Sequence, residues 1–213
     1  MIRLPMIYSA FHRPRRIAAR LAKLSLVVAL GFAAPGAPEA AQPQSTSHIV
    51  ARKAITAPQG ATALCRDHAW ACRTTGGGSL PDRSVLKVAG QVNSMVNRRV
   101  RSVSDRQQYG LEEVWALPTR RGGDCEDFAL LKKKELIAAG MRPQDLLIAT
   151  VLDRNRGSHA VLVLRTSSGD YVLDNLRNRI MPWRETGYSF IRMQNPQRPN
   201  RWVAVLAGGV FGA

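Results

Sequence analysis

The run Leu146 to Leu152 shows no alternation of polar and apolar residues, and it is confined between Arg142-Pro143 and the polar stretch Asp153 to Ser158. Such a run is too short for a free-standing helix and predicts a strand buried on both faces. A strand with two dry faces needs a layer on each side. Upstream, Val85, Val88, Val92 and Met95 recur at helical spacing between Pro81 and Arg101, with Ala89 and Val96 widening the stripe and Arg83, Lys87, Asn93, Asn97 and Arg98 polar. A second helix is predicted from Cys125 to Ala139, with Asp124 as N-cap, Gly140 closing it and Lys132, Lys133 and Lys134 on its outer side. Downstream, Ala160 to Arg165, the turn residues Thr166 to Gly169, and Tyr171 to Asn175 read as an antiparallel hairpin. A last strand is expected at Trp202 to Leu206. Three stretches are predicted to be irregular: an ordered loop from Tyr109 to Pro118, a flexible approach from Arg120 to Gly123, and a basic loop from Arg177 to Arg201 holding Trp183 and Tyr188. Helices followed by antiparallel strands define an α+β class.

Arg13, Arg15, Arg16, Arg20 and Lys23 precede the apolar run Leu24 to Ala34, which is followed by small and turn-prone residues up to Ala41. This predicts a secretory signal over residues 1–41, a flexible polar leader over 42–60 and one domain over 61–213. The apolar run falls short of the roughly 20 residues that span a bilayer, and the expected address is the periplasm. The formal net charge is +16, and removing the six Lys or Arg and one Glu of residues 1–41 would leave +11. A basic chain attracts any polyanion. The arginines here lack the aromatic interleaving of a nucleic-acid platform, so nucleic acid is not an expected partner.

Cys65 and Cys72 stand close together, and in an oxidising compartment they are expected to bridge. His68 lies between them, but two Cys and one His leave a four-coordinate zinc site one ligand short. Cys125 is then the odd thiol. It opens the second helix within Gly122-Gly123-Asp124-Cys125-Glu126-Asp127-Phe128, and unpaired N–H groups at a helix start favour a thiolate.

A cysteine nucleophile needs a base and a group that orients the base. If Arg165 lies opposite Asp170 across a four-residue connection, Asp174 becomes the same-face diagonal neighbour of His159, about 7 to 8 Å away. A slip of one residue would send Asp174 to the other face. The acids beside the thiol oppose a thiolate. A hard cation such as calcium, held by Asp124 and Glu126, would offset them; alternatively Asp124 caps the helix and the other acids favour its positive end. Spacing leaves both readings open. Trp115 is expected either to offer its indole N–H to an oxyanion or to line a core or substrate groove.

The segments Gly123 to Ala129, Ser158 to Leu162 and Tyr171 to Asn175, with Val92-Asn93, Asn97, Asp105 to Gly110 and Trp115 to Pro118, resemble the bacterial transglutaminase-like cysteine proteinases across roughly Cys65 to Trp183. The resemblance implies a papain-like α+β core with the nucleophile at a helix start packed on an antiparallel sheet. It implies Cys125 as nucleophile, His159 as base, Asp174 as orienting acid and calcium at Asp124 and Glu126. One departure is Glu113, where the family has Asp two residues before the Trp. For the adhesin-releasing type in this family, the resemblance implies a surface adhesin as protein substrate and a membrane-bound receptor as regulator. Acyl transfer to an amine, or an inert peptide-binding envelope module, are the competing functions.

Overall fold

In the computed structural model the described residues are Ser47–Gly212, so the signal segment and the start of the leader lie outside them. The strands are β1 Ala54–Ile55, β2 Leu146–Leu152, β3 Ser158–Thr166, β4 Gly169–Asp174, β5 Arg177–Pro182, β6 Ser189–Gln194 and β7 Trp202–Ala207. They form one antiparallel sheet in the order β1-β7-β6-β2-β3-β4-β5. The helices are α1 Leu64–Asp67, α2 Asp82–Arg99, α3 Asp105–Tyr109 and α4 Cys125–Ala138. Among the described residues no helix is long and apolar enough to cross a membrane.

The run at 146–152 is a central strand, dry on both sides as its composition requires. Side chains alternate across a strand, so Leu146, Ile148, Leu162 and Leu164 join Ala89, Ala129, Leu130 and Leu136 under the helices. Leu147, Ala149, Val151, Val161 and Val163 pack on the other face with Ile49, Trp183, Tyr188 and Phe190. That second face is covered partly by the expected leader. Ile49 is buried, β1 pairs with β7, and the buried Asp170 accepts bonds from the Ile49 N–H and from Arg165. The described part of the leader is therefore built into the domain.

Two further expectations fail for identifiable reasons. The stretch from Arg177 to Arg201 contains two strands rather than a loop. β5 is an edge strand on which Asn178 and Arg179 are exposed. In β6 the register with β2 shifts between Thr150 and Val151, so Phe190 and Met193 reach the same core at a spacing of three, which hides the period of two. The lysines of α4 also depart from the pattern. Lys134 is exposed, but Lys132 and Lys133 are buried, because α4 is enclosed by the sheet, α2 and the disulfide segment. Lys133 Nζ donates to Gln194 Oε1 at 2.9 Å, and Lys132 lies over the Phe128 ring. Burial pushes both amines down to about 7.

Asn93 and Asn97, read as polar-face residues, turn inward from α2. Asn93 donates to the Arg177 and Asn178 carbonyls, and Asn97 donates to the Asp174 carbonyl at 2.9 Å. These bonds clamp the β4–β5 turn to the helix layer.

Candidate active site

The chain enters α4 through a tightly held turn. Gly122 has φ +124°, where side chains are strained, and a Cβ there would collide with the Arg101 carbonyl. Gly123 donates to the Arg101 carbonyl at 3.1 Å and accepts from the Val103 N–H at 2.9 Å, while Thr119 and Gly122 exchange both backbone bonds. The expected flexible approach at Arg120 to Gly123 is thus pinned. Asp124 occupies the N-cap position without a side-chain cap bond; its Oδ2 accepts from the Asp105 N–H instead.

On the sheet, Arg165 pairs with Asp170, the register from which the diagonal relation follows, and Thr166 pairs with Gly169. The connection is therefore shorter than expected, only Ser167-Ser168, yet adding a closing pair leaves the faces unchanged. His159 Nε2 and Asp174 Oδ1 are 2.9 Å apart, and both residues are buried. Asp174 Oδ1 also accepts from the Leu176 N–H at 3.0 Å, and Oδ2 accepts from the Tyr188 hydroxyl at 2.6 Å. Burial raises the Asp174 carboxyl, but its bonds to His159 and Tyr188 outweigh burial and hold it below the usual carboxylate range.

Cys125 and His159 line one cleft of about 370 Å³, with Trp115, Glu113 and Ala160 in its wall. The Cys125 thiol donates to Glu126 Oε2 at 3.2 Å. Burial first, then the charge of Glu126, pushes the thiol up, against a smaller opposite effect from a hydrogen bond with the Ala160 backbone. Trp115 lines the cleft and stacks edge-on to Trp202. Its indole N–H donates to Glu113 Oε2 at 3.1 Å, so it could reach an oxyanion only by leaving Glu113. Cys65 and Cys72 are bonded, and Cys125 is free.

The acids around the thiol form a cluster that sequence spacing shows only in part. Oxygens of Asp105, Asp124 and Glu126 all lie within 4.8 Å of one another. Asp105 Oδ1, Asp124 Oδ1 and Glu126 Oε1 are buried with no hydrogen-bond partner among the described residues, a costly state that a cation would relieve. Burial and Asp124 push Glu126 up to about 9. Burial also pushes Asp127 up to about 7, although it accepts from the Ala116 N–H. Asp105 was missed as a ligand because it lies 19 residues before Asp124 in another helix. Its sequence signals were Ser104, whose side chain caps α3, and the Asp105 to Gly110 segment, which carries part of the family resemblance without naming a ligand. Tyr188 was missed with the strand that it precedes.

The sequence model described as bacterial transglutaminase-like cysteine proteinase matches residues 51–209. Comparison with curated proteins finds no match. Among solved structures, calcium-bound LapG of Legionella pneumophila is 23% identical, with 63% of this chain and 76% of that chain covered and a TM-score of 0.49. A second structure of Legionella pneumophila LapG is 23% identical, covering 71% of this chain and 82% of that one at a TM-score of 0.48. The EGTA-treated form is 24% identical, covering 65% and 76% at a TM-score of 0.45.

Proposed function

This chain belongs to the bacterial transglutaminase-like cysteine proteinases, and we propose that it works there as a periplasmic endopeptidase with Cys125 as nucleophile, His159 as base and Asp174 as the acid that orients His159. One observation supports these roles above the rest: Cys125 and His159 open onto the same cleft, and His159 is bonded to a buried carboxylate.

Nε2 of His159 is taken by Asp174, which leaves Nδ1 to accept the thiol proton. The thiolate then attacks the peptide carbonyl carbon, forming the C–S bond and a tetrahedral oxyanion. The Cys125 backbone N–H, at the positive end of α4, is a donor for that oxyanion. Collapse breaks the C–N bond, and the imidazolium protonates the leaving amine. Water, deprotonated by His159, then cleaves the thioester and restores the thiol.

Asp105, Asp124 and Glu126 are the residues that would hold a cation, and calcium suits their hard oxygen donors. When bound, calcium would neutralise the carboxylates that oppose thiolate formation. Residues 1–41 are proposed to direct export. The sequence resemblance adds a surface adhesin as the protein substrate and a membrane-bound receptor as the regulator.

The test is cleavage of envelope proteins by wild type and Cys125→Ser, followed by gel and mass spectrometry. Products made by wild type alone are expected. Incorporation of dansylcadaverine without cleavage would turn the reading to acyl transfer, and identical products from both proteins would end it.

A further inference from the structure

The hydrogen bonds of Asp174 are divided unequally between its two oxygens. Oδ1 accepts from His159 Nε2 and from the Leu176 N–H, whereas among the described residues Oδ2 accepts only from the Tyr188 hydroxyl, in the shortest of these bonds at 2.6 Å. Without that hydroxyl the buried Oδ2 would have no partner among the described residues, and the carboxylate could turn to seek one. Tyr188 also touches the base itself, since its ring meets the His159 ring edge-on at 5.9 Å. One side chain therefore braces both His159 and Asp174.

The backbone holds Tyr188 in place from behind. Gly187 adopts a left-handed conformation, Thr186 Oγ1 donates to the Trp183 carbonyl at 2.7 Å, and the same oxygen accepts from the Tyr188 N–H at 3.1 Å. Tyr188 is 2% exposed. A buried aromatic residue serving only as packing could be phenylalanine; here the polar end reaches a carboxylate already engaged with a histidine.

Resting on the function proposed above, we propose that Tyr188 is a positioning residue for the hydrolysis: its hydroxyl fixes Asp174 Oδ2 so that Oδ1 stays on His159 Nε2. The phenol acts as donor throughout, because burial and the Asp174 charge push its ionisation up. The other charged groups facing this pair among the described residues are Lys132 from α4, acting on Asp174, Arg177 from β5 and Asp153 from the β2–β3 loop, acting on Tyr188, and Arg179 from β5, which lines the same crevice as both.

The experiment needs no substrate. The rate of Cys125 alkylation by iodoacetamide is measured against pH in the full protein with calcium present, for wild type, His159→Ala, Asp174→Asn, Tyr188→Phe and the Asp174→Asn/Tyr188→Phe pair. The acid limb of this profile reports formation of the thiolate paired with the imidazolium. Tyr188→Phe is expected to move the limb up by about one pH unit, the scale of one hydrogen bond to a charged group. It should move the limb no further in Asp174→Asn. A simple packing role would lower the melting temperature and leave the limb in place.

If Tyr188→Phe fails to fold, 3-fluorotyrosine at position 188 keeps the ring and strengthens the donor, and the limb should fall. A wild-type limb in Tyr188→Phe, or in the fluorotyrosine protein, overturns the proposal while His159→Ala still shifts. An equal shift in the Asp174→Asn background also overturns it, since Tyr188 would then act without Asp174. If His159→Ala and Asp174→Asn both keep the wild-type limb, the proposed function falls and this inference falls with it.

Discussion

The first turn of α4 and the turns that follow it both bury charged residues, in opposite states of completion. Glu126 and Asp127 are buried at the start, and Lys132 and Lys133 are buried further along. Each lysine finds its partner within the chain, at Phe128 and at Gln194. The acids instead gather with Asp105 and Asp124 and leave four buried oxygens without a partner among the described residues. Like charges forced together cost stability unless an outside ion joins them. The contrast separates charge buried as part of the fold from charge arranged for a ligand.

The largest effect is expected at the acidic turn. Calcium at about a hundred times its Kd should stabilise the protein by about 2.7 kcal/mol, or roughly 5 to 10 °C in melting temperature for a domain of this size. EGTA should remove the gain, and Asp105→Asn should weaken calcium binding at least about tenfold. A melting temperature indifferent to both ions would collapse the distinction between the two turns.

A second effect separates the turns by pH. Glu126 is raised from 4.5 to about 9 in the folded chain, so the folded state binds more protons than the unfolded one in that window. Its contribution to stability is present below 4.5 and is lost as pH rises through 9. Lys132 and Lys133 are lowered from 10.5 to about 7, so the unfolded state binds more protons between those values. Their contribution rises with pH across that window, by at most about 1.4 kcal/mol per unit for each amine. Denaturant titrations in EGTA should show both arms, and calcium should erase the acidic one only. Loss of the alkaline arm on adding calcium would contradict the assignment.

The smallest effect is expected from Lys133→Met. Gln194 Oε1 still accepts from the Ile148 N–H, so no acceptor is orphaned, while an amine leaves the core. A gain of about 1 kcal/mol, near 2 to 4 °C, is expected without change in Cys125 alkylation. A marked loss of alkylation would place Lys133 in the site rather than the fold.

What could be read from sequence follows the range of each interaction. The helix starting at Cys125, the hairpin that sets His159 beside Asp174, and the Cys65–Cys72 pair all depend on neighbours a few residues away, and all are visible as spacing. Asp105 reaches the acidic cluster, and Tyr188 reaches Asp174, through folding across separate elements, where spacing carries no signal. Lys132 and Lys133 read as surface because a local pattern cannot show that α4 is covered on several sides. β6 escaped because its bulge breaks the alternation that marks a strand.

The central claim is that Cys125 is a nucleophile served by His159. The direct measurement is the rate of carbamidomethylation at neutral pH, read by intact mass without reductant in calcium. Wild type should take up one label at Cys125, and His159→Ala should react at least about tenfold more slowly. An unlabelled Cys125, or equal rates in the two proteins, would contradict the account.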